Sequence, residues 1–157
     1  MKIGIAKECS LNESRVALTP ENIMRLSDKG VALVVQSGAG KRAGFSDQDY
    51  RNAGAEIKSS AEEVYQDSDT VIRVNLTGDA LARTSGYLRK GQLLIGMLDP
   101  LSDSEKFTAL SEQGVSSVAM ELIPRISRAQ SMDVLSSMAT IAGYKSVVMA
   151  ADASERI

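Results

Sequence analysis

The sequence contains no histidine and no tryptophan, and Cys9 is its only cysteine. Because histidine is the commonest general acid or base and the commonest neutral metal ligand, its absence removes the usual means of proton transfer near pH 7. A single cysteine excludes an internal disulfide framework and the paired cysteines of a zinc site. We therefore expect neither a metal site nor catalysis by a histidine.

Charge and hydropathy argue against a nucleic-acid-binding protein and against a membrane-spanning one. The net charge of -2 and the pI of 5.2 argue against a nucleic-acid surface, which needs clustered lysine and arginine. No uninterrupted apolar run reaches the roughly 18 residues typical of a membrane span. The amino terminus, MKIGIAKE, is too short and too soon charged for a signal peptide. A cytoplasmic protein is the simplest expectation.

What is present is an alternation of short apolar runs with helical segments. A length of 157 residues is that of one domain, so we predict a single α/β domain over 1–157. Most strands read as continuous apolar runs, which indicates a doubly wound, mainly parallel sheet of Rossmann or flavodoxin type with helices on both faces. The predicted strands cover 2–6, 31–36, 56–58, 70–74, 92–96 and 115–120, and the helices cover 20–29, 46–53, 60–65, 79–88 and 103–113.

The last apolar segment, from Pro124 to Ala151, predicts one long helix of about six turns that links this domain to whatever follows. One sector of this helix is polar and nearly uncharged, and the remainder is apolar. This composition predicts a helix with core on most sides and a ligand or partner along the polar sector, which comprises Gln130, Asp133, Ser136, Ser137, Thr140 and Tyr144.

Four charged residues follow predicted strands or lie at their ends: Arg15, Arg73, Asp99 and Arg125. In doubly wound sheets, ligands bind beyond the carboxyl ends of the strands. We therefore expect these residues on one rim, together with the start of the long helix. Arg15 either pairs with its acidic neighbours or reaches into the cleft to hold an anion. Arg73, in a buried run, must face the rim or find a partner, and Asp99-Pro100 is expected to form a turn.

The glycine-rich segment QSGAGKRAGF invites comparison with phosphate-binding loops. Its glycines do not match GxGxxG, because position 43 is alanine and the third glycine comes one residue late. A Walker-type loop is also excluded, since Arg42 stands where serine or threonine is required. A tight connection is the better prediction.

Three segments carry a resemblance to a known family. KECSLNESRVALTP resembles the amino-terminal signature shared by alanine dehydrogenase and the alpha subunit of proton-translocating NAD(P) transhydrogenase. SGAGKRAGFSDQDYRNAGAEI and AMELIPRISRAQSMDVLSSMATIAGYKSVVMAA are similar to the transhydrogenase branch in particular. The resemblance implies that NAD(H) lies between this domain and a second domain of the same subunit, which carries the glycine-rich fingerprint.

The resemblance also implies which residues bind the nicotinamide end of NAD(H): Arg125, Gln130, Asp133 and Ser136. A glutamine can donate to and accept from a carboxamide, and Asp133 can orient Gln130 or Arg125 or accept from a ribose hydroxyl. Arg15 and Arg73 remain possible contacts at the rim. The implied partners are the NADP(H)-binding and membrane domains of the transhydrogenase, with a homodimer in the full-length protein at the cytoplasmic side of the inner membrane.

Two alternatives remain. The fold could serve as a stand-alone binding module without catalytic partners. It could also belong to an amino-acid dehydrogenase such as alanine dehydrogenase, but that family is expected to use a lysine and a histidine in this domain. Here Arg73 is expected at the lysine position, and no histidine is present. Hydride transfer between two nicotinamides needs no general acid at carbon. We therefore expect half a site, inactive alone, in a natural protein that continues beyond Ile157.

Overall fold

The computed structural model describes residues 1–10, 12–77, 79–102 and 104–154, apart from the side chain of Lys106. It forms two compact units, Met1–Ala119 and Met120–Ile157. The predicted grouping of 1–157 as one domain remains a prediction. The predicted start of a helix at Asp103 lies outside the described residues.

The first unit contains a six-stranded sheet whose registered neighbours are all parallel, as the apolar runs predicted. Its strands are β1 (Lys2–Ile5), β2 (Ala32–Gln36), β3 (Glu56–Lys58), β4 (Thr70–Asn75), β5 (Leu93–Met97) and β6 (Ser116–Ala119). Its helices are α1 (Pro20–Ser27), α2 (Asp47–Asn52), α3 (Ala61–Gln66), α4 (Asp79–Ser85) and α5 (Ser104–Glu112).

Local signals in the sequence account for the helix ends. Thr19 caps α1, with Pro20 at the first helical position, and Gly30 adopts the left-handed conformation (φ 78°) beyond its end. At α2, the Ser46 hydroxyl accepts from the Asp49 amide while the Asp49 carboxylate accepts from the Ser46 amide, a complete capping box. Both helix starts were predicted from these residues.

The strand order is β3-β2-β1-β4-β5-β6. The chain builds outward from β1 in one direction and then returns to build outward from β4 in the other. The direction therefore reverses between β1 and β4, which makes their carboxyl ends the expected ligand position for this topology. The doubly wound α/β fold is confirmed.

Apolar side chains cover both faces of the sheet. One cluster contains Ile5, Ile23 and Val35, and the other contains Val34, Val71 and Leu94. Neighbouring positions on β2 thus point into different cores, which explains why the strand reads as a continuous apolar run.

The second unit begins with a short 3-10 helix, Met120–Leu122, and continues through another, Ser127–Met132. It then forms α6 (Val134–Ala153). The prediction of one continuous helix from Pro124 to Ala151 was wrong. Asp133 has an extended ψ of 92° and caps α6, so the regular helix begins only at Val134. An aspartate directly before an apolar run is a start signal that sequence reasoning could have used.

Candidate functional site

The loops that follow β1 and β4 form a cleft of about 380 Å³ at the reversal of strand order. Asn75 projects from the end of β4, and its side-chain oxygen accepts from both the amide and the hydroxyl of Thr77 at 2.9 and 2.8 Å. That pairing leaves the Asn75 amide group available as a donor. The cleft is lined by Cys9, Ser10, Asn75, Thr77, Asp79, Ala80 and Arg83. Sequence reasoning missed these residues, although position after β1 and β4 was a usable signal.

Arg73 is not a rim residue: it is 2% exposed. Its Nε and Nη2 atoms lie 3.4 Å from the two carboxylate oxygens of Glu8, Nη1 lies 3.2 Å from the Tyr65 hydroxyl, and Nη2 lies 3.2 Å from the Cys9 sulfur. Burial opposes the charged form, but the neighbouring Tyr65 and Glu8 groups outweigh it and raise the pKa of Arg73. Of the two expectations for this residue, the buried partner is confirmed. A permanently charged, enclosed guanidinium does not act as a proton acceptor.

Glu8 also completes the irregular end of β4. The pairing of β4 with β5 shifts register between Ile72 and Asn75. The buried Glu8 carboxylate accepts from the Val74 amide at 2.7 Å and from the Asn75 amide at 3.3 Å. Glu8 therefore connects the loop after β1 to β4 at the point where the cleft opens.

Arg15 makes the local ion pair that was one of its two predicted roles. Its Nε and Nη2 atoms each lie 2.7 Å from an oxygen of Glu13, and its backbone amide donates to the same carboxylate at 3.0 Å. The Arg15 hydrogen bond lowers the pKa of Glu13. A bidentate pair of this kind commits the planar guanidinium to Glu13, and Arg15 is not among the residues that line the cleft.

The glycine-rich segment is a tight connection, as predicted. Four of its backbone amides already have acceptors: those of Ala39, Lys41 and Ala43 donate to nearby carbonyls, and that of Gly38 donates to Asp47 at 2.7 Å. The Ser37 hydroxyl donates to the same carboxylate at 2.6 Å, and these two bonds lower the pKa of Asp47. A fixed negative charge at the loop disfavours a phosphate there.

Asp99 forms the expected turn after β5. It adopts φ 51°, the one positive φ among the described residues other than glycine, and its carbonyl accepts from the Ser102 amide at 3.2 Å. Aspartate is one of the few residue types that tolerate this conformation. A structural role therefore accounts for Asp99.

In the second unit, Asp133 and Ser136 form a close pair at the start of α6. One carboxylate oxygen of Asp133 accepts from the Ser136 amide at 2.9 Å, and the other accepts from the Ser136 hydroxyl at 2.6 Å. The hydroxyl and amide bonds are the main causes that lower the pKa of Asp133, with a smaller contribution from the charge of Arg125. Asp133 therefore orients Ser136 in this structure, and its roles towards Gln130, Arg125 or a ribose hydroxyl remain predictions.

Gln130 and Arg125 differ from that pair. Both side chains are exposed, and within the described part of the chain neither side chain forms a hydrogen bond or an ion pair. The carboxamide of Gln130 can donate and accept at the same time, and the guanidinium of Arg125 offers several donors. Of the four predicted residues, Asp133 and Ser136 are thus fixed to each other, whereas the side chains of Gln130 and Arg125 are available to a ligand.

Two other hydroxyl groups of α6 form hydrogen bonds with the backbone of the preceding turn. The Ser137 hydroxyl donates to the Asp133 carbonyl at 3.2 Å, and the Thr140 hydroxyl donates to the Ser136 carbonyl at 3.0 Å. Hydroxyls that bond back to the preceding turn need no partner on the opposing surface. These bonds fix the direction of the two hydroxyls.

The apolar side of α6 was expected to be packed in a core, and this expectation was wrong for the chain as described. No described residue of α6 is buried, and Ile141, Val147 and Met149 are all more than half exposed. By length and composition alone, α6 is long and apolar enough to cross a membrane. It is not an uninterrupted apolar run, because serine, threonine and glycine interrupt the segment. The core helix of a soluble protein can have the same composition.

Metal-ligating side chains do not gather within the described ranges: no group of three or more aspartate, glutamate or cysteine residues there could hold an ion. The candidate site consists of amide, hydroxyl, carboxylate and guanidinium groups.

Comparisons with known proteins agree with this fold. The family model described as alanine dehydrogenase/PNT, N-terminal domain, matches residues 4–142. The NAD(P) transhydrogenase subunit alpha of Cereibacter sphaeroides is 44% identical over 150 residues, which cover 96% of this chain and 28% of that protein. The alanine dehydrogenase of Mycobacterium tuberculosis is 32% identical over 143 residues, which cover 91% of this chain and 37% of that protein.

A solved structure gives the same result in three dimensions. The crystal structure of transhydrogenase from Sinorhizobium meliloti matches with a TM-score of 0.90 and 38% identity, over 99% of this chain and 46% of that one. This chain thus spans less than half the length of these relatives. It belongs to the alanine dehydrogenase/PNT N-terminal domain family.

Proposed function

We propose that this chain is part of the NAD(H)-binding component of a proton-translocating NAD(P) transhydrogenase. The complete enzyme would transfer hydride from NADH to NADP+ and couple that transfer to proton movement. The alpha-subunit relatives are 36–44% identical to this chain, compared with 32–33% for the alanine dehydrogenases. The difference in identity favours the transhydrogenase branch, as does the absence of histidine.

The observation that carries the proposal is the arrangement at the start of α6. Gln130 presents a side-chain amide that has no hydrogen-bond partner among the described residues, and the neighbouring Asp133 and Ser136 are held together by two hydrogen bonds. A carboxamide such as that of nicotinamide needs one donor and one acceptor, which Gln130 supplies in a single group. NAD(H) would provide the hydride, and Gln130 would orient the ring that carries it.

Asp133 and Ser136 would act together in this site. Because the Ser136 hydroxyl donates its hydrogen to Asp133, its lone pairs are left as acceptors towards a ligand. The lowered pKa of Asp133 keeps the carboxylate charged at neutral pH, so this orientation persists under working conditions. Arg125, exposed and permanently charged, would contact the pyrophosphate or the ring.

None of these four side chains needs to exchange a proton during the reaction. Hydride passes from one nicotinamide to another, so the protein must hold two rings close, oriented and dry. The carboxylate of Asp133, whose pKa is lowered, does not titrate near pH 7. The residues present therefore fit a site for orientation, and they do not fit one for acid-base catalysis.

The exposed apolar side of α6 supports a partner for this site. We propose that a second NAD-binding domain of the same subunit, bearing the glycine-rich fingerprint, covers α6 and excludes water from the nicotinamide. The length of the alpha-subunit relatives, of which this chain spans 28–39%, leaves room for such a domain. NADP(H)-binding and membrane domains would complete the enzyme as a homodimer at the cytoplasmic side of the inner membrane.

The test compares this chain alone with the same chain joined to the remaining segments of a transhydrogenase alpha subunit. We expect the isolated chain to bind NADH weakly and to transfer no hydride to an oxidised nicotinamide analogue. The joined protein, assayed with the NADP(H)-binding component, should transfer hydride at an enzyme-like rate. Enzyme-like transfer by the isolated chain would contradict the half-site. Alanine-dependent NADH formation by the joined protein would instead support an amino-acid dehydrogenase.

A further inference from the structure

We draw no further inference here: the strongest candidate, the polar cleft of about 380 Å³ between the carboxyl ends of β1 and β4, belongs to the ligand position already described for this fold, and nothing in the described residues indicates what would occupy it.

Discussion

Similar apolar side chains are buried in one unit and exposed in the other. In Met1–Ala119, Ile5 lies between neighbouring strands and is 0% exposed. In Met120–Ile157, Ile141 belongs to the mostly apolar helix α6 and is 61% exposed. The composition of α6 is typical of a buried helix. The exposure of Ile141 therefore indicates that α6 packs against a surface that its own unit does not provide.

Polar groups show the same contrast. The sheet unit pairs groups that are far apart in sequence, such as Glu8 with Arg73, and buries them. The second unit pairs near neighbours, such as Asp133 with Ser136 and Thr140 with the Ser136 carbonyl. Long-range pairs require a formed tertiary structure, whereas neighbouring pairs require only a helix. The sheet unit therefore buries polar pairs that its own tertiary structure brings together, whereas the polar pairs of the second unit are local and are not buried.

The largest effect is expected from breaking the buried pair of the sheet unit. Glu8→Ala removes the carboxylate partner of Arg73 and also leaves the Val74 and Asn75 amides without their acceptor. Loss of one member of a buried ion pair costs about 3–5 kcal/mol. We expect the free energy of unfolding, measured by denaturant titration, to fall by that amount.

Glu21→Ala is the matched control for this change, because Glu21 pairs with Arg25 at positions where the side chains are 66% and 69% exposed. Exposed helix pairs contribute only about 0.3–0.5 kcal/mol. If Glu8→Ala does not fold, Glu8→Gln, which retains an acceptor oxygen, should recover folded protein. A loss for Glu8→Ala as small as that for Glu21→Ala would show that the buried pair does not stabilise the sheet unit.

The next largest effect compares one residue type in both units. Ile5→Ala should lower the free energy of unfolding by about 2–5 kcal/mol, because it removes buried methyl groups and leaves a cavity. Ile141→Ala should change it by no more than about 0.5 kcal/mol, since the side chain is exposed. The same denaturant titration checks both variants. Equal losses would mean that α6 is already buried in this chain.

Joining the rest of the alpha subunit sharpens this comparison. If a second domain covers α6, Ile141→Ala should become destabilising in the joined protein, while the cost of Ile5→Ala should remain the same. An unchanged effect of Ile141→Ala would remove the support that the exposed apolar side gives to a covering domain.

A smaller effect is expected from changing an available side chain of the second unit. In the joined, active protein, Gln130→Ala should slow hydride transfer by about 10–100-fold, because orientation of the ring is lost. The dissociation constant for NADH should change much less, since other contacts hold the dinucleotide. Single-turnover rates and equilibrium NADH titration separate the two quantities.

Ser131→Ala is the control for Gln130→Ala, because Ser131 is an exposed neighbour in the same 3-10 helix and has no proposed contact. Its rate should match that of the unchanged protein. Equal losses of rate and affinity in Gln130→Ala would point to simple binding instead of orientation.

The smallest effect concerns the fixed pair at the start of α6. Ser136→Ala removes the hydroxyl that is the main cause of the lowered pKa of Asp133, so that pKa should rise towards its ordinary value. Ser137→Ala should leave it unchanged, because the Ser137 hydroxyl donates to the Asp133 backbone carbonyl. Carbon-13 NMR of the Asp133 carboxyl carbon during a pH titration measures both variants.

The sign of the pH dependence follows from the same shift. A carboxylate whose folded-state pKa is lowered stabilises the folded form above its unfolded pKa, and this contribution is lost as the pH falls through the folded value. The start of α6 should therefore fray on acidification. Asp133→Asn, which can cap the helix without a charge, should make helix content less dependent on pH in the acidic range. An identical pH dependence in both proteins would exclude Asp133 as the titrating cap.

The sequence predicted the six strands and the helices of the sheet unit to within a few residues. These elements depend on local signals: apolar runs for strands such as β2, and the Thr19-Pro20 and Ser46-Asp49 starts for α1 and α2. The alternation of strands and helices also predicted the parallel sheet. Each of these features is determined by residues close together in the chain.

The sequence could not show where the polar side chains would find partners. Glu8 and Arg73 are 65 positions apart, so only the pairing of β1 with β4 brings them together. The same pairing places Cys9 and Asn75 around one cleft. Sequence reasoning left Arg15 open between two roles, and the structure shows its ion pair with Glu13.

The final segment shows most clearly which features follow from the sequence and which require the tertiary structure. Composition alone predicted an apolar helix with a sparse polar side within Pro124 to Ala151, because side-chain type and helical period need no tertiary contact. The start at Val134 under the Asp133 cap rests on a local signal that sequence reasoning did not use, whereas the tertiary structure decided that none of the described residues of the helix is buried. Burial depends on a second surface, and the sequence of one helix does not contain that surface.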